Sequence, residues 1–257
     1  MATRTIDLNC DMGESFGAWR LGADAAVMAS ITSANIACGF HAGDTGVMRE
    51  TVRLAADAGV AVGAHPGFPD LPGFGRREMQ MAPREIEDLI VYQIAALAGF
   101  ARAAGVELKH VKPHGALYNM AARDRRLSDA IARAVASFDA SLVLFGLAGS
   151  VMLDAGRDAG LQVAAEGFAD RTYEPDGSLT PRSRPGAVVH DSAEVARRAM
   201  RMVRDGAVIT SAGSVLPLQI DTICVHGDTP GADVSARALQ QALVDSGIDV
   251  RAVGAQS

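Results

Sequence analysis

Residues 108–119 read LKHVKPHGALYN and space His110, Lys112 and His114 two apart. In an extended chain side chains alternate, so these three share one face while Val111 and Pro113 share the other. The same parity recurs. Asp7, Asn9 and Asp11 oppose Ile6, Leu8 and Cys10; Asn35, Gly39 and His41 oppose Ile36, Cys38 and Phe40. Gly63 and His65 oppose Val60 and Val62, Gln162 and Glu166 oppose Leu161 and Val163, and Thr222, Cys224 and His226 oppose Ile223 and Val225. Each segment thus has an apolar face and a small or polar one, with an ionisable group near its C-terminal end. An ionisable group held inward at a strand end can meet developing negative charge or phosphate, and Lys112 is of the type to do so.

Each residue alone has an ordinary explanation. A lone histidine at a strand end more often caps or faces solvent, and Asp11 could cap a turn in DMGE. Yet five of the six histidines fall at or within expected strands, His190 being the exception, and clustered titratable groups point to one site. Lys112 is sharper still. Of 24 basic residues only Lys109 and Lys112 are lysine. An inward lysine serves as a point charge for an oxyanion, or else as half of a buried pair with Glu166 or Asp11. Cys224 reads as filler, and Cys10 and Cys38 fall on the apolar side.

The elements that must position these groups alternate. A helical segment ends in Gly and a branched or apolar residue opens a strand at 57–65, 103–114, 159–167 and 245–253, with a weaker copy at 205–210. Gly suits the residue after a helix because it enters the left-handed region without a Cβ clash. Residues 84–104 after Pro83, and residues 43–58, carry helical periodicity. Strands are expected near 4–11, 33–40, 60–65, 108–114, 141–147, 161–167, 220–226 and 249–253. Such alternation predicts a parallel sheet, and seven or eight units predict a closed (β/α) barrel formed by residues 1–257 as one domain. An open doubly wound sheet is the rival, weakened because no GxGxxG follows the first strand. In a barrel the site lies at the C-terminal strand ends. The segment 141–147 carries no ionisable group and only closes the wall.

Two loops add cations at that end: 65–78, with Arg76 and Arg77, and 166–191, with Arg171, Arg182 and Arg184. Long loops after strand ends are often binding loops. There is no Walker A, HExxH or GxSxG sequence.

The 257 residues are 49% hydrophobic and carry a net charge of −6. No basic block invites nucleic acid, and no apolar run spans a bilayer. The first residues lack the apolar core of a signal peptide, and three scattered cysteines form neither a disulfide framework nor a zinc spacing. A reducing cytoplasm is the expected location.

The blocks DLNCDMGESFGAW, TSANIACGFHAGD, GAHPGFPDLPGFGRR, VKPHGALYN, EGFADRTYEPDGSLTPRSRPGAV and TICVHGDTPGA together resemble the 5-oxoprolinase A-subunit family, also called the LamB/YcsF family. The resemblance runs from about residue 4 to 254. GDTG stands where the family commonly has Gly-Asp-Pro, and Gly167 replaces a usual apolar residue. The resemblance implies a TIM-like barrel of about seven strands, similar to glycoside hydrolase/deacetylase barrels. It implies ATP-dependent opening of 5-oxo-L-proline to L-glutamate together with partner subunits B and C. ATP, with Mg, would be a co-substrate whose location is open. Asp11, Lys112, His114, Glu166 and His65 are then the catalytic candidates: Lys112 and His114 would handle oxyanion or phosphate, Asp11 or Glu166 would activate water, and His41, His65 and His226 would shape the site or move protons. Asn9, Asn35, His41, Arg76, Arg171, Arg182, His226 and Asp228 are the candidates for holding substrate. Two alternatives are a metal-dependent deacetylase or amidohydrolase using Asp11, His41 and His65, and a non-catalytic ligand-binding subunit. Self-association is left open.

Overall fold

The computed structural model describes residues 4–225 and 231–254. Seven parallel strands close on themselves: β1 (Thr5–Met12), β2 (Ser33–Ala37), β3 (Ala61–His65), β4 (Leu108–Val111), β5 (Val143–Leu147), β6 (Gln162–Phe168) and β9 (Thr222–Val225), which returns to β1. A short β10 (Asp249–Val250) lies beside the first residues of β1, and β7 (Ala207–Ile209) with β8 (Val215–Pro217) forms an antiparallel hairpin outside the barrel. A closed parallel sheet excludes the open doubly wound alternative.

Helices cover the outside: α1 (Asp24–Val27), α2 (Thr45–Ala58), α3 (Pro83–Ala103), α4 (Gly115–Ala121), α5 (Arg125–Phe138), α6 (Val151–Asp158), α7 (Ser192–Asp205) and α8 (Ala232–Asp245). Asp44, Asp124 and Asp191 accept backbone N–H bonds at the starts of α2, α5 and α7, satisfying donors that the helix itself leaves unpaired. The glycines read as helix stops, Gly59, Gly105, Gly160, Gly206 and Gly247, all have φ between 60° and 82°. No helix among the described residues is long and apolar enough to cross a membrane.

The strand parity holds, and it divides the interior in two. Ile6, Leu8, Ile36, Val62, Val111, Leu144 and Ile223 are buried in the main apolar core, where strands meet helices. The barrel lumen instead holds Asp7, Asn9, Asn35, His110, Lys112 and Glu166, none more than 2% exposed. Three expected strands end three residues early: β2, β4 and β10, which stops at Val250. β2 stops at Ala37 because Gly39, at φ 91°, turns the chain; Gly39 N–H donates to Ala42 C=O. His41 therefore reaches the lumen from a turn. β4 stops at Val111 because Pro113 has no N–H to give. Lys112 and His114 still donate backbone N–H bonds to Ala64 and Pro66, so the alternation continues until α4 begins.

Candidate active site

At the C-terminal strand ends lies a cavity of about 720 Å³, within the usual size of a small-molecule site. Asp11, His65, Lys112 and His114 line its floor with Glu14, and Arg76, Arg182 and Arg184 stand around it. The floor rests on a hydrogen-bond network that fills the lumen.

Lys112 is the hub. Its ammonium lies 2.7 Å from Glu166 Oε1, 2.9 Å from Asp11 Oδ1, 3.0 Å from Asn9 Oδ1 and 3.2 Å from Cys224 Sγ. Three N–H protons face four acceptors, so the head group is saturated by the protein. Asn9 Nδ2 donates to Glu166 Oε1 and to Thr222 Oγ1, and Thr222 donates in turn to Asp7. Asn35 Nδ2 donates to Asn9 Oδ1 and Asp11 Oδ1, while Asn35 Oδ1 accepts from His110 Nε2. Tyr118, on α4, donates to Glu166 Oε2 at 2.6 Å. Every amide orientation is thus dictated by a neighbour.

The electrostatics follow from this wiring. Burial opposes ionisation of Asp11, but His65 and Lys112 beside it outweigh burial and hold its carboxyl well below the usual carboxylate range. Burial likewise disfavours the charged Lys112, yet Asp11, Cys224 and Glu166 keep it well above the usual lysine range. His110 is pushed down to about 3 by burial and by Lys112, so it is neutral. It lies flat against Phe145, with ring centres 4.3 Å apart. His114 is pushed down to about 3 by burial and by His65.

Three histidines pack together beside Asp11. The rings of His41 and His114 stack with centres 3.7 Å apart, and His65 meets both edge-on. The loop at 65–78 folds down on them. Phe74 presents its ring to His114 and His41 and its carbonyl to His114 Nε2 at 2.8 Å. Phe74 has φ 54°, a conformation uncommon for a bulky residue and held here by the contacts around it. Gly75 is required at its position. It has φ 62°, and a Cβ there would fall 2.7 Å from His41 Cβ and 2.9 Å from His114 Cδ2.

The family model for LamB/YcsF matches residues 6–257. The chain belongs to the LamB/YcsF family. It is similar to proteins named as the A subunit of 5-oxoprolinase, and two illustrate the match. One from Methylococcus capsulatus is 59% identical, covering 98% of this chain and 96% of the relative. One from Bacillus subtilis is 55% identical, covering 98% of each. The crystal structure of a lactam utilization protein from Thermus thermophilus superposes with a TM-score of 0.91 at 50% identity, covering 96% of this chain and 99% of that one. A putative cellobiose-phosphate cleavage protein from Enterococcus faecalis shares the fold alone, at 12% identity and TM-score 0.55, covering 97% of each chain.

The LamB/YcsF barrel brings most of the sequence candidates together in distinct places. Asp11, His65, Lys112 and His114 meet at the floor. Glu166, Asn9 and Asn35 are buried beneath it, fully used in the network. Glu166 there is paired with Lys112 and accepts from Asn9 and Tyr118. His41 is buried behind His114. Arg76 and Arg182 are exposed at the rim. Arg171 is only 6% exposed and donates to the carbonyls of Thr180 and Ala187, so it braces the 166–191 excursion. His226 and Asp228 lie outside the described residues. Of the metal candidates, Asp11 Oδ2 is 3.3 Å from His65 Nε2, but the group whose donor atoms converge is Glu14, His41, His65 and His114.

Sequence reasoning missed Glu14, Tyr118 and Phe145. Tyr118 had a signal: it lies four residues after His114 on an expected helix, hence on the same side. Glu14 had a weaker one. The turn at Gly13 (φ 69°), tied by its N–H to Asp24 Oδ2 at 2.9 Å, breaks the parity that locates Asp11.

Proposed function

We propose that this chain is the A component of an ATP-dependent 5-oxoprolinase, acting with subunits B and C to open 5-oxo-L-proline to L-glutamate. The names carried by relatives at 55–59% identity across nearly the whole chain support this reading. So does one structural observation above the rest: the Asp11 carboxylate, 2.9 Å from the Lys112 ammonium, at the floor of a cavity of substrate size.

A five-membered lactam is an unreactive amide. Transfer of the γ-phosphoryl group of ATP to its carbonyl oxygen, with ADP leaving, gives a phosphorylated imidate whose carbon water attacks readily. The C–N bond then breaks with a proton going to the ring nitrogen, and the resulting acyl phosphate takes a second water to give L-glutamate and phosphate. Asp11 is the base that orients and deprotonates the first water. Its side chain is 22% exposed toward the cavity, whereas Glu166 is sealed beneath. His65 and His114, 2.9 Å apart, relay a proton toward the departing ring nitrogen. Arg76 and Arg182 attract an anionic substrate. Lys112 fixes Asp11 as a carboxylate rather than touching phosphate. The sequence has no Walker A loop, so the reading assigns ATP, with Mg, to the interface with the partner subunits.

The test is glutamate release from 5-oxo-L-proline with ATP, by this chain alone, by subunits B and C alone, and by all three. Turnover only in the full mixture, lost on Asp11→Asn, supports the reading. Undiminished turnover by the Asp11→Asn assembly, or full ATP-coupled turnover without this chain, refutes it.

A further inference from the structure

We propose that Gln93, on α3 outside the barrel, is a positioning residue for the histidines at the cavity floor. That those histidines serve lactam opening rests on the proposed function; that Gln93 places them does not.

Gln93 is the polar member of an apolar stripe. Helix α3 turns Ile86, Leu89, Ile90, Ile94 and Leu97 onto its buried face, and Gln93 sits among them fully buried. A leucine would fill the stripe without needing partners, whereas a buried amide is costly unless it is hydrogen-bonded. Here each of its groups is directed. Gln93 Oε1 accepts from Gly67 N–H at 2.9 Å, and Nε2 donates to Gly67 C=O at 2.9 Å and to Leu89 C=O at 3.2 Å. Only the Leu89 bond lies within α3. The other two close a cyclic pair on one residue of the turn after β3. A flipped amide would set its nitrogen against an N–H and its oxygen against carbonyls, so one orientation alone meets all three partners.

The grip reaches the histidines by two routes. The first runs through the peptide that links Pro66 to Gly67. Gln93 takes its N–H, and its carbonyl, that of Pro66, accepts the backbone N–H of His114 at 2.8 Å. A planar trans peptide points its N–H and C=O in opposite directions, so displacing one end displaces the other. Gln93 and His114 thus hold one rigid unit between them. The second route is contact. Gly67 lies so close to His41 that a Cβ on it would fall 2.7 Å from His41 Nδ1, and the His41 ring stacks on that of His114. His65 stands two residues before Gly67, with its Nδ1 2.7 Å from Lys112 C=O. Pro66, Gly67 and Phe68 are buried, so losing the Gln93 amide leaves Gly67 N–H and C=O unsatisfied, and the turn must shift to recover partners.

Gln93→Met keeps the length of the side chain and deletes the three hydrogen bonds. Leu97→Ala, one turn further along the same stripe and fully buried, removes packing without touching the turn. Both should lower the melting temperature. In the assembly with subunits B and C, measured where both variants are folded, Gln93→Met should lower kcat about 100-fold, the effect of a misplacement of about 1 Å, with KM little changed. Leu97→Ala should keep the kcat of the parent. In the isolated untagged chain labelled with ¹⁵N-histidine, the ring resonances of His41, His65 and His114 should move in Gln93→Met and hold in Leu97→Ala. The parent needs no variant for a third measurement: the Gly67 amide should exchange slowly with deuterium. Undiminished kcat in Gln93→Met, ring resonances that move no more in it than in Leu97→Ala, or a Gly67 amide exchanging as fast as an exposed loop each overturns the proposal. A parent assembly without turnover of 5-oxo-L-proline refutes the lactam reading alone, and the resonances and the exchange then decide the role of Gln93.

Discussion

Lys112→Met keeps the side-chain stem and deletes the charge. In the parent, the ammonium neutralises two carboxylates, Asp11 and Glu166, at 2.9 and 2.7 Å. Glu166 is fully buried and Asp11 mostly so. After the change Glu166 keeps only Asn9 and Tyr118, and Asp11 keeps Asn35 and His65. Removing one partner of a buried pair costs about 3–5 kcal/mol, because a charge is left uncompensated. Against a typical total of about 5–15 kcal/mol, that is a large fraction. At about 2–4 °C per kcal/mol for a chain of this size, the melting temperature should fall by about 6–20 °C. Specific activity of the folded fraction should fall too, since Asp11 loses the neighbour that keeps it ionised.

A second substitution sharpens the test. Glu166→Gln added to Lys112→Met removes the stranded charge. Asn9 can donate to the new amide oxygen, and the Tyr118 hydroxyl can turn to accept from its nitrogen. The double variant should therefore regain part of the lost melting temperature. Thermal unfolding of the three proteins decides the matter, with kinetics on the assembled enzyme alongside. An unchanged melting temperature in Lys112→Met, together with a loss of turnover of about 100- to 1000-fold, would refute this reasoning. It would mean that the ammonium meets substrate charge instead of holding the floor together.

Other substitutions probe the remaining roles. Asp11→Asn should lower turnover about 100- to 10,000-fold, the range of a general base, and lower the melting temperature less than Lys112→Met because Lys112 retains Glu166. Gly63→Ala should destabilise the fold by about 1–3 kcal/mol, measurable by urea unfolding, since a Cβ there would fall 2.1 Å from His110 Nε2, whose ring is backed by Phe145. Arg182→Ala should raise KM with little change in kcat. Arg171→Ala should instead loosen the excursion, read as faster proteolysis within 166–191, because it deletes the donors to Thr180 and Ala187.

The fold was legible because two local rules carried it. Side-chain parity located the strands and their inward faces, and glycine after each helix marked where the chain turned back. Both depend on near neighbours in sequence. The site was legible only as a list of inward residues. What each one does depends on contacts across 101 residues, as between Asp11 and Lys112, or 157, as between Asn9 and Glu166. Sequence parity cannot say that Lys112 is saturated, that Glu166 is sealed under it, or that Arg171 is occupied by its own loop. Glu14 escaped for a related reason: a turn, not a strand, sets its direction.

That division also explains why the lumen is polar at all. An apolar lumen would pack more easily, and unpaired polar groups there would be costly. Here each buried amide and carboxylate near Lys112 has a directed partner, so the network resists repacking and fixes Asp11 in one orientation. Asp7 extends the support downward, accepting from Thr32 and Ser33 at 2.6 and 2.7 Å and from Thr222. The consequence is a separation of duties within one barrel. Groups below the floor have no spare hydrogen-bonding capacity to offer a ligand. In the proposed function the chemistry falls to Asp11, whose side chain is exposed to the cavity, with His65 and His114 beside it. A variant that alters Asn9 or Asn35 should therefore shift the orientation and ionisation of Asp11 while leaving the rim arginines in place.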